Sequence, residues 1–330
     1  MMRLLRVELH RLFSRQVVLL LMVAAVVVPL LMLVAVAREA RPVTPEELAD
    51  AEAVYAQQLA DWEETGEEQV AQCEADEERE REASGQEVDF GCEFITAPEL
   101  EWFLRPVPTF AADVERLLSA LSPLLLAVGL AIGATFTAAE FATGSMGMWL
   151  TFEPRRLRVY ATKLAAPALA FGLVALAAAA LFVAGDWFIL DSADLTAGTT
   201  AATWTSVGWM VLRIGGLGLL AALLSAALGF LVRHTAGVLG IGIGYLVVEL
   251  VVRGLVPASQ PWLVSVNVAS WVQHGTTYYL ETCAADGQGG VLCEVADRTV
   301  SFGHSALYLL VLTAVVVGLG ALAFRRRDVR

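Results

Sequence analysis

The sequence predicts an all-α polytopic membrane protein with six transmembrane helices, both termini cytoplasmic, and a helical extracytoplasmic insert after the first span. Three observations predict it. Six apolar stretches, at 17–37, 117–139, 164–184, 207–231, 236–256 and 305–324, are each long enough to cross a hydrocarbon core of about 30 Å as a helix. Clustered positive charge lies on one side of them: Arg3, Arg6, Arg11, Arg15, Arg155, Arg156, Arg158, Lys163, Arg233, Arg325, Arg326, Arg327 and Arg330, against only Glu8, Glu140, Glu153 and Asp328. Positive loops stay cytoplasmic, and an even number of spans puts both ends on that side. The four cysteines, Cys73, Cys92, Cys283 and Cys293, all fall in the segments on the other side, as paired cysteines in an oxidising compartment would.

Composition agrees. Hydrophobic residues make up 57% of the chain and charged residues 17%, with a mean hydropathy of +0.63, whereas a soluble domain carries about a quarter charged residues. The net charge of −13 belongs to the outer segments. The basic residues are flanks of spans, so nucleic acid is excluded as a partner class. Twenty-one arginines stand against one lysine, the bias of a GC-rich genome, and the reading is a bacterial plasma-membrane protein.

In chain order, the first span is a retained helix rather than a signal peptide: its apolar run is too long, and Ala37-Arg38-Glu39-Ala40 is a weak cleavage context. The insert, 38–116, opens on Thr44-Pro45-Glu46-Glu47, a helix start with threonine as N-cap and proline at the first helical position. Leu48, Ala51, Tyr55, Leu59 and Trp62 then recur at helical spacing. Ser84-Gly85 ends the charged continuation, and 98–110 carries Trp102 and two prolines. The expectation is a helical hairpin stapled by Cys73–Cys92, either contacting a partner or serving as a solvated cap. Span two is followed by the cytoplasmic segment 140–163, and span three by an outer loop, 185–206. Spans four and five are joined by a turn at 232–235. Segment 257–304, with Trp262, Trp271, Tyr278 and Tyr279, reads as short interfacial helices, its Gly287–Gly290 tip closed by Cys283–Cys293. Zinc is the alternative for the cysteines, but the spacings are not those of a C-x-x-C ligand pair. A basic tail, 325–330, ends the chain.

Segment 140–163 holds the functional signal. It runs from Glu140 through Gly144, Ser145 and an apolar patch (Met146, Met148, Trp149, Leu150, Phe152) to Pro154, Arg155 and Lys163. The pattern predicts a short amphipathic helix on the cytoplasmic side, either docking a partner or lying in the headgroups. It resembles the coupling segment of ABC-2 type permeases, the membrane subunits of ATP-binding-cassette exporters, through Glu140, Gly144, Ser145, Leu150, Pro154, Arg155 and Lys163. Residues 5–13 resemble that family's elbow helix, here 1–16, and Phe324 to Val329 resemble its arginine-rich ending. The long acidic insert departs from the family's minimal pattern.

The resemblance implies a permease that forms a translocation path as a homo- or heterodimer and is driven by a separate cytoplasmic ATPase. ATP and magnesium would then bind that ATPase, because this chain has no G-x-x-x-x-G-K-[ST] loop: Lys163 is followed by Leu164. No cofactor, metal or catalytic residue is assigned in this chain, whose histidines, His10, His234, His274 and His304, show no ligand spacing. The alternative reading is a membrane-anchored interaction or sensor protein acting through its acidic extracytoplasmic helical domain.

Within the membrane, Gly218, Ala222, Ala226 and Gly229 in span four, and Gly240 and Gly244 in span five, recur at intervals that allow close helix approach; compositional bias also produces such residues. Arg213 and Glu249 lie at matching depth, each about 10 Å below the outer boundary. They are expected either to pair or to separate, Arg213 snorkelling past Trp209 and Glu249 protonated or turning to Arg253.

Overall fold

A computed structural model describes residues 2–85, 87–285 and 291–326, without the side chains of Leu150, 281–285 and 291–294. In chain order the elements are α1 (Met2–Phe13), α2 (Gln16–Glu39), α3 (Pro45–Ser84), α4 (Phe110–Ala142), α5 (Ser145–Phe152), α6 (Arg156–Asp191), α7 (Ala201–Val232), α8 (Thr235–Leu255), α9 (Val264–Gln273), β1 (Gly275–Ala285), β2 (Val291–Ser301) and α10 (Phe302–Arg326). Short 3-10 turns lie at Cys92–Phe94, Leu100–Phe103 and Pro257–Trp262. Six helices, α2, α4, α6, α7, α8 and α10, are long and apolar enough to cross a membrane. The chain divides into two compact units, one of Met1–Ala37 with Thr109–Arg330, the other Arg38–Pro108.

The first unit is built on α4 against α7, with α6 alongside. Small residues set that contact. A Cβ at Gly133 would run into the Ala222 carbonyl, the Ser225 hydroxyl and the Ala226 amide, and one at Gly229 into the Thr137 hydroxyl. The polar groups between the helices are satisfied across the gap: Thr137 Oγ1 donates to the Ala226 carbonyl at 3.0 Å and Ser225 Oγ to that of Gly129 at 3.4 Å. Gly218 packs on α6, where an added Cβ would lie 2.8 Å from that of Ala175. The span-four stripe is therefore a packing face. The span-five stripe is not: nothing lies within 4 Å of where a Cβ would stand at Gly240 or Gly244. α8 leaves most of its surface uncovered, including Ile243, Leu246 and Leu250.

The structure corrects the all-α reading in segment 257–304. Beyond the 3-10 turn and α9, Gly275–Ala285 and Val291–Ser301 pair as antiparallel strands rather than forming interfacial helices. Thr276, Thr277, Tyr278, Tyr279, Val295, Thr299 and Val300 are the β-branched and aromatic residues that fit a pleated surface. Ser270 Oγ anchors the hairpin by donating to the Val300 carbonyl at 2.9 Å. Backbone register sets Cys283 opposite Cys293; their side chains, the Gly287–Gly290 tip and Arg327 to Arg330 lie outside the described residues. Boundaries of the long helices also move. α4 begins at Phe110, before the span expected at 117, α6 runs to Asp191 and α7 starts at Ala201, so only residues 192–200 of the outer loop expected at 185–206 lie outside helix. Asp186 thereby lies in α6, fully buried, with no hydrogen-bond partner for either carboxyl oxygen.

The second unit is α3 with a chain that returns along it. Its start is the capping box the sequence predicts: Thr44 Oγ1 accepts from the Glu47 amide at 3.2 Å, and the Thr44 amide donates to Glu47 Oε2 at 2.9 Å. That backbone donor holds the Glu47 carboxyl below its ordinary pKa. Gly85, at φ 68°, stops the helix in the left-handed conformation glycine tolerates. The returning arm is not the second helix of a hairpin. Gly91, Pro98, Pro106 and Pro108 break it up, and among its described residues only two 3-10 turns form. Cys73 and Cys92 are joined, with Cα atoms 5.8 Å apart. Tyr55 meets Phe103 with ring centroids 6.1 Å apart, and Arg105 donates to the carbonyls of Glu39 and Arg41. Because so few other contacts hold the arm, Cys92→Ser is expected to destabilise its packing by about 3 kcal/mol, the loop-closure value for a link of this length. Limited proteolysis should show faster cleavage within 85–108; identical cleavage of variant and wild type would refute this.

Candidate functional site

At one end of the first unit, the end of α4, the start of α6 and the two N-terminal helices meet around a cluster of charges. α1 is amphipathic, and its inner face presents Glu8, Leu12 and, two residues past the helix end, Arg15. Glu140 comes from the last turn of α4 and Lys163 from the second turn of α6. Lys163 is 0% exposed and Glu8 and Glu140 are 1% exposed, so these charges persist only because they face one another. Lys163 Nζ lies 2.5 Å from Glu140 Oε2 and 3.0 Å from Glu8 Oε2. Arg15 Nη2 donates to Glu140 Oε1 at 2.7 Å, and its Nη1 to the Thr135 carbonyl at 3.1 Å. Arg11 stands 3.3 Å from Glu140 and 3.8 Å from Glu8. Burial holds the Arg15 guanidinium below its usual pKa, and Glu140 opposes the shift.

Three cations thus face two carboxylates, and aromatic faces take up the excess. Trp149, on α5, lies under Arg11 at 5.0 Å and Lys163 at 5.6 Å. Phe136, on α4, receives Arg15 at 5.0 Å and Lys163 at 5.4 Å. Such contacts strengthen when desolvated. The short helix α5 is therefore tied to α1 and α6 through one indole ring. Gly144, at φ 69°, makes the left-handed turn that starts α5, and Ser145 Oγ donates to the Glu140 carbonyl at 3.4 Å. The other side of α5 is apolar and uncovered, Met148 being 68% and Phe152 81% exposed. Nearby, Phe141, Tyr160, Phe230 and Phe324 lock the ends of α4, α6, α7 and α10 together, and Tyr160 donates to the Val317 carbonyl at 2.7 Å.

Of the residues predicted from sequence, the structure brings Glu140 and Lys163 into direct contact and places Gly144 and Ser145 at the turn between them. Pro154 and Arg155 lie in the exposed link from α5 to α6, where Arg155 serves through its carbonyl, accepting from the Arg158 amide at 2.9 Å. The side chain of Leu150 lies outside the described residues. Sequence reasoning missed Glu8, Arg11, Arg15 and Trp149 as partners. The recurrence of Glu8, Arg11 and Arg15 at three- and four-residue intervals was the available signal, since it puts all three on one helix face.

Arg213 and Glu249 are not brought together. Arg213 Nε donates to the Trp209 carbonyl at 3.2 Å, and its guanidinium lies 5.9 Å from the Phe302 ring. Glu249 faces Arg253 at 3.5 Å and accepts from the Ser265 amide at 3.3 Å. Arg253, one turn further along α8, reaches Glu249 without spanning two helices.

Residues 108–330 match the model of a family described as Protein of unknown function (DUF2705). The chain belongs to this family. No curated protein and no solved structure matches it. In this DUF2705 member the matched region runs from α4 to the C-terminus, so it holds Glu140, Trp149 and Lys163. The cations and the carboxylate that complete the cluster from α1 precede it.

Proposed function

We propose that this protein is the membrane subunit of an ABC-2 type exporter, driven by a separate cytoplasmic ATPase and forming its path as a dimer. On this reading the end bearing the charge cluster is cytoplasmic and residues 38–108 are extracytoplasmic. The observation that carries it is α5: a short helix between two spans, tied through the Trp149 ring to a cluster of buried ion pairs and presenting an apolar surface at Met148 and Phe152. A helix that lay only in the headgroups would need no such buried anchor. The anchor suits a joint that takes a push from a docked partner and passes it to α1, α4 and α6. The separate acidic unit favours the second reading, an interaction or sensor protein acting through residues 38–108.

Co-expression with candidate cytoplasmic ABC ATPases from the same genome, beginning with any encoded beside the gene, tests the proposal. The wild-type chain should retain one of them through purification and support ATP hydrolysis in nanodiscs. Phe152→Glu and Arg155→Glu, both at exposed positions, should abolish retention while leaving the chain monodisperse. An ATPase retained equally by both variants, or never retained by the wild type, refutes the assignment of this segment.

A further inference from the structure

Residues 38–108 carry twenty-one acidic against five basic residues. Charge of this kind is commonly only solvated. Two clefts in the seam between α3 and the returning chain are more specific. The first, of about 320 Å³, lies at the start of α3 over an apolar floor of Val43, Ala51, Val54, Phe103 and Leu104, with Glu47, Asp50 and Arg105 also in its lining; Val54 remains 47% exposed. The second, of about 530 Å³, lies beside Cys92 and is lined by Glu74, Glu77, Glu87, Asp89 and Glu93. Glu77 is engaged by Arg81 and by the Phe90 amide, and Asp89 accepts from the Gly91 amide. Among the described residues Glu74, Glu87 and Glu93 have no basic partner. Nor do any three His, Cys, Asp or Glu side chains among the described residues converge on a site for a metal ion.

The parts of α3 that line the two clefts are centred about 25 residues apart. That is close to seven turns, so both open on one face of the helix, about 37 Å from each other. We propose that this seam binds a basic amphipathic polypeptide segment of a partner, with its apolar side chains in the first cleft and its Lys or Arg side chains among the carboxylates of the second. About eleven extended residues, or about 25 helical ones, span the distance. Such a ligand covers the exposed apolar floor and neutralises the unpaired carboxylates together, which neither a free cation nor a neutral peptide does.

The full chain in zwitterionic nanodiscs, titrated with a labelled synthetic peptide of about 25 residues, leucine-rich at one end and lysine-rich at the other, provides the test, with empty discs as blank. The peptide should bind at least about tenfold more tightly than an all-lysine peptide of equal charge, and more weakly as salt rises from about 0.05 to 0.3 M. Val54→Asp and the double change Glu74→Lys with Glu93→Lys should each weaken binding about tenfold, with the Cys73–Cys92 link intact by non-reducing mapping. Equal binding of the all-lysine peptide would reduce the seam to general electrostatics and overturn the proposal. Absence of binding, or an unchanged affinity in Val54→Asp, would overturn it as well.

Discussion

Glu140→Gln is expected to be the most damaging isosteric change in the chain, destabilising the first unit by about 3–5 kcal/mol, the range for removing one partner from a buried ionic arrangement. Glu140 is the carboxylate shared by Lys163, Arg15 and Arg11. Without its charge, the fully buried Lys163 and the partly buried Arg11 and Arg15 face Glu8 alone. Lys163→Met is expected to cost less, although Lys163 is the more completely buried residue: its loss leaves two arginines facing two carboxylates, a balanced set. The ordering tests charge balance against burial: if the cost followed burial alone, Lys163→Met would be at least as harmful. Thermal unfolding of the two variants in one detergent checks it, and a Lys163→Met protein less stable than Glu140→Gln would contradict the charge argument.

Gly133→Ala is expected to separate α4 from α7, at a cost of about 3 kcal/mol or more, the upper end for overpacking. One methyl group suffices because it meets the backbone of α7, the Ala222 carbonyl and the Ala226 amide, rather than the end of a flexible side chain. Moving the helices apart would also stretch the Thr137 bond to the Ala226 carbonyl and the Ser225 bond to that of Gly129. Gly244→Ala is the control, since nothing lies near the position its Cβ would occupy. Gly133→Ala should elute as aggregate or melt at lower temperature, with Gly244→Ala indistinguishable from wild type. Equal behaviour of the two variants would remove close packing as the basis of the α4–α7 contact.

The sequence by itself determined the elements whose physics is local or one-dimensional. Hydropathy over about 20 residues locates a span whatever packs against it, and all six apolar stretches lie in the long helices, the fifth to within a residue of its end. The Thr44–Glu47 cap and the turns at Gly85 and Gly144 were legible because each uses donors, acceptors or φ angles within a few residues. Cys73–Cys92 was legible because a short loop limits the partners.

Tertiary structure alone decided the rest. Residues 275–285 and 291–301 became paired strands because a strand's stability lies in its cross-strand neighbours, which a reading for interfacial aromatics does not weigh. The arm after Gly85 stayed irregular because prolines outweighed a few apolar residues. The Arg213–Glu249 pairing rested on matching depth, but depth along the chain says nothing about which way a side chain points around its helix. The charge cluster is the clearest case. Glu8, Arg11 and Arg15 lie more than a hundred residues from Glu140 and Lys163, and each set reads alone as ordinary charge at the flank of a span. Only the packing of α1 against α6 buries them together, and burial is what turns charges that water would screen into partners that must be matched.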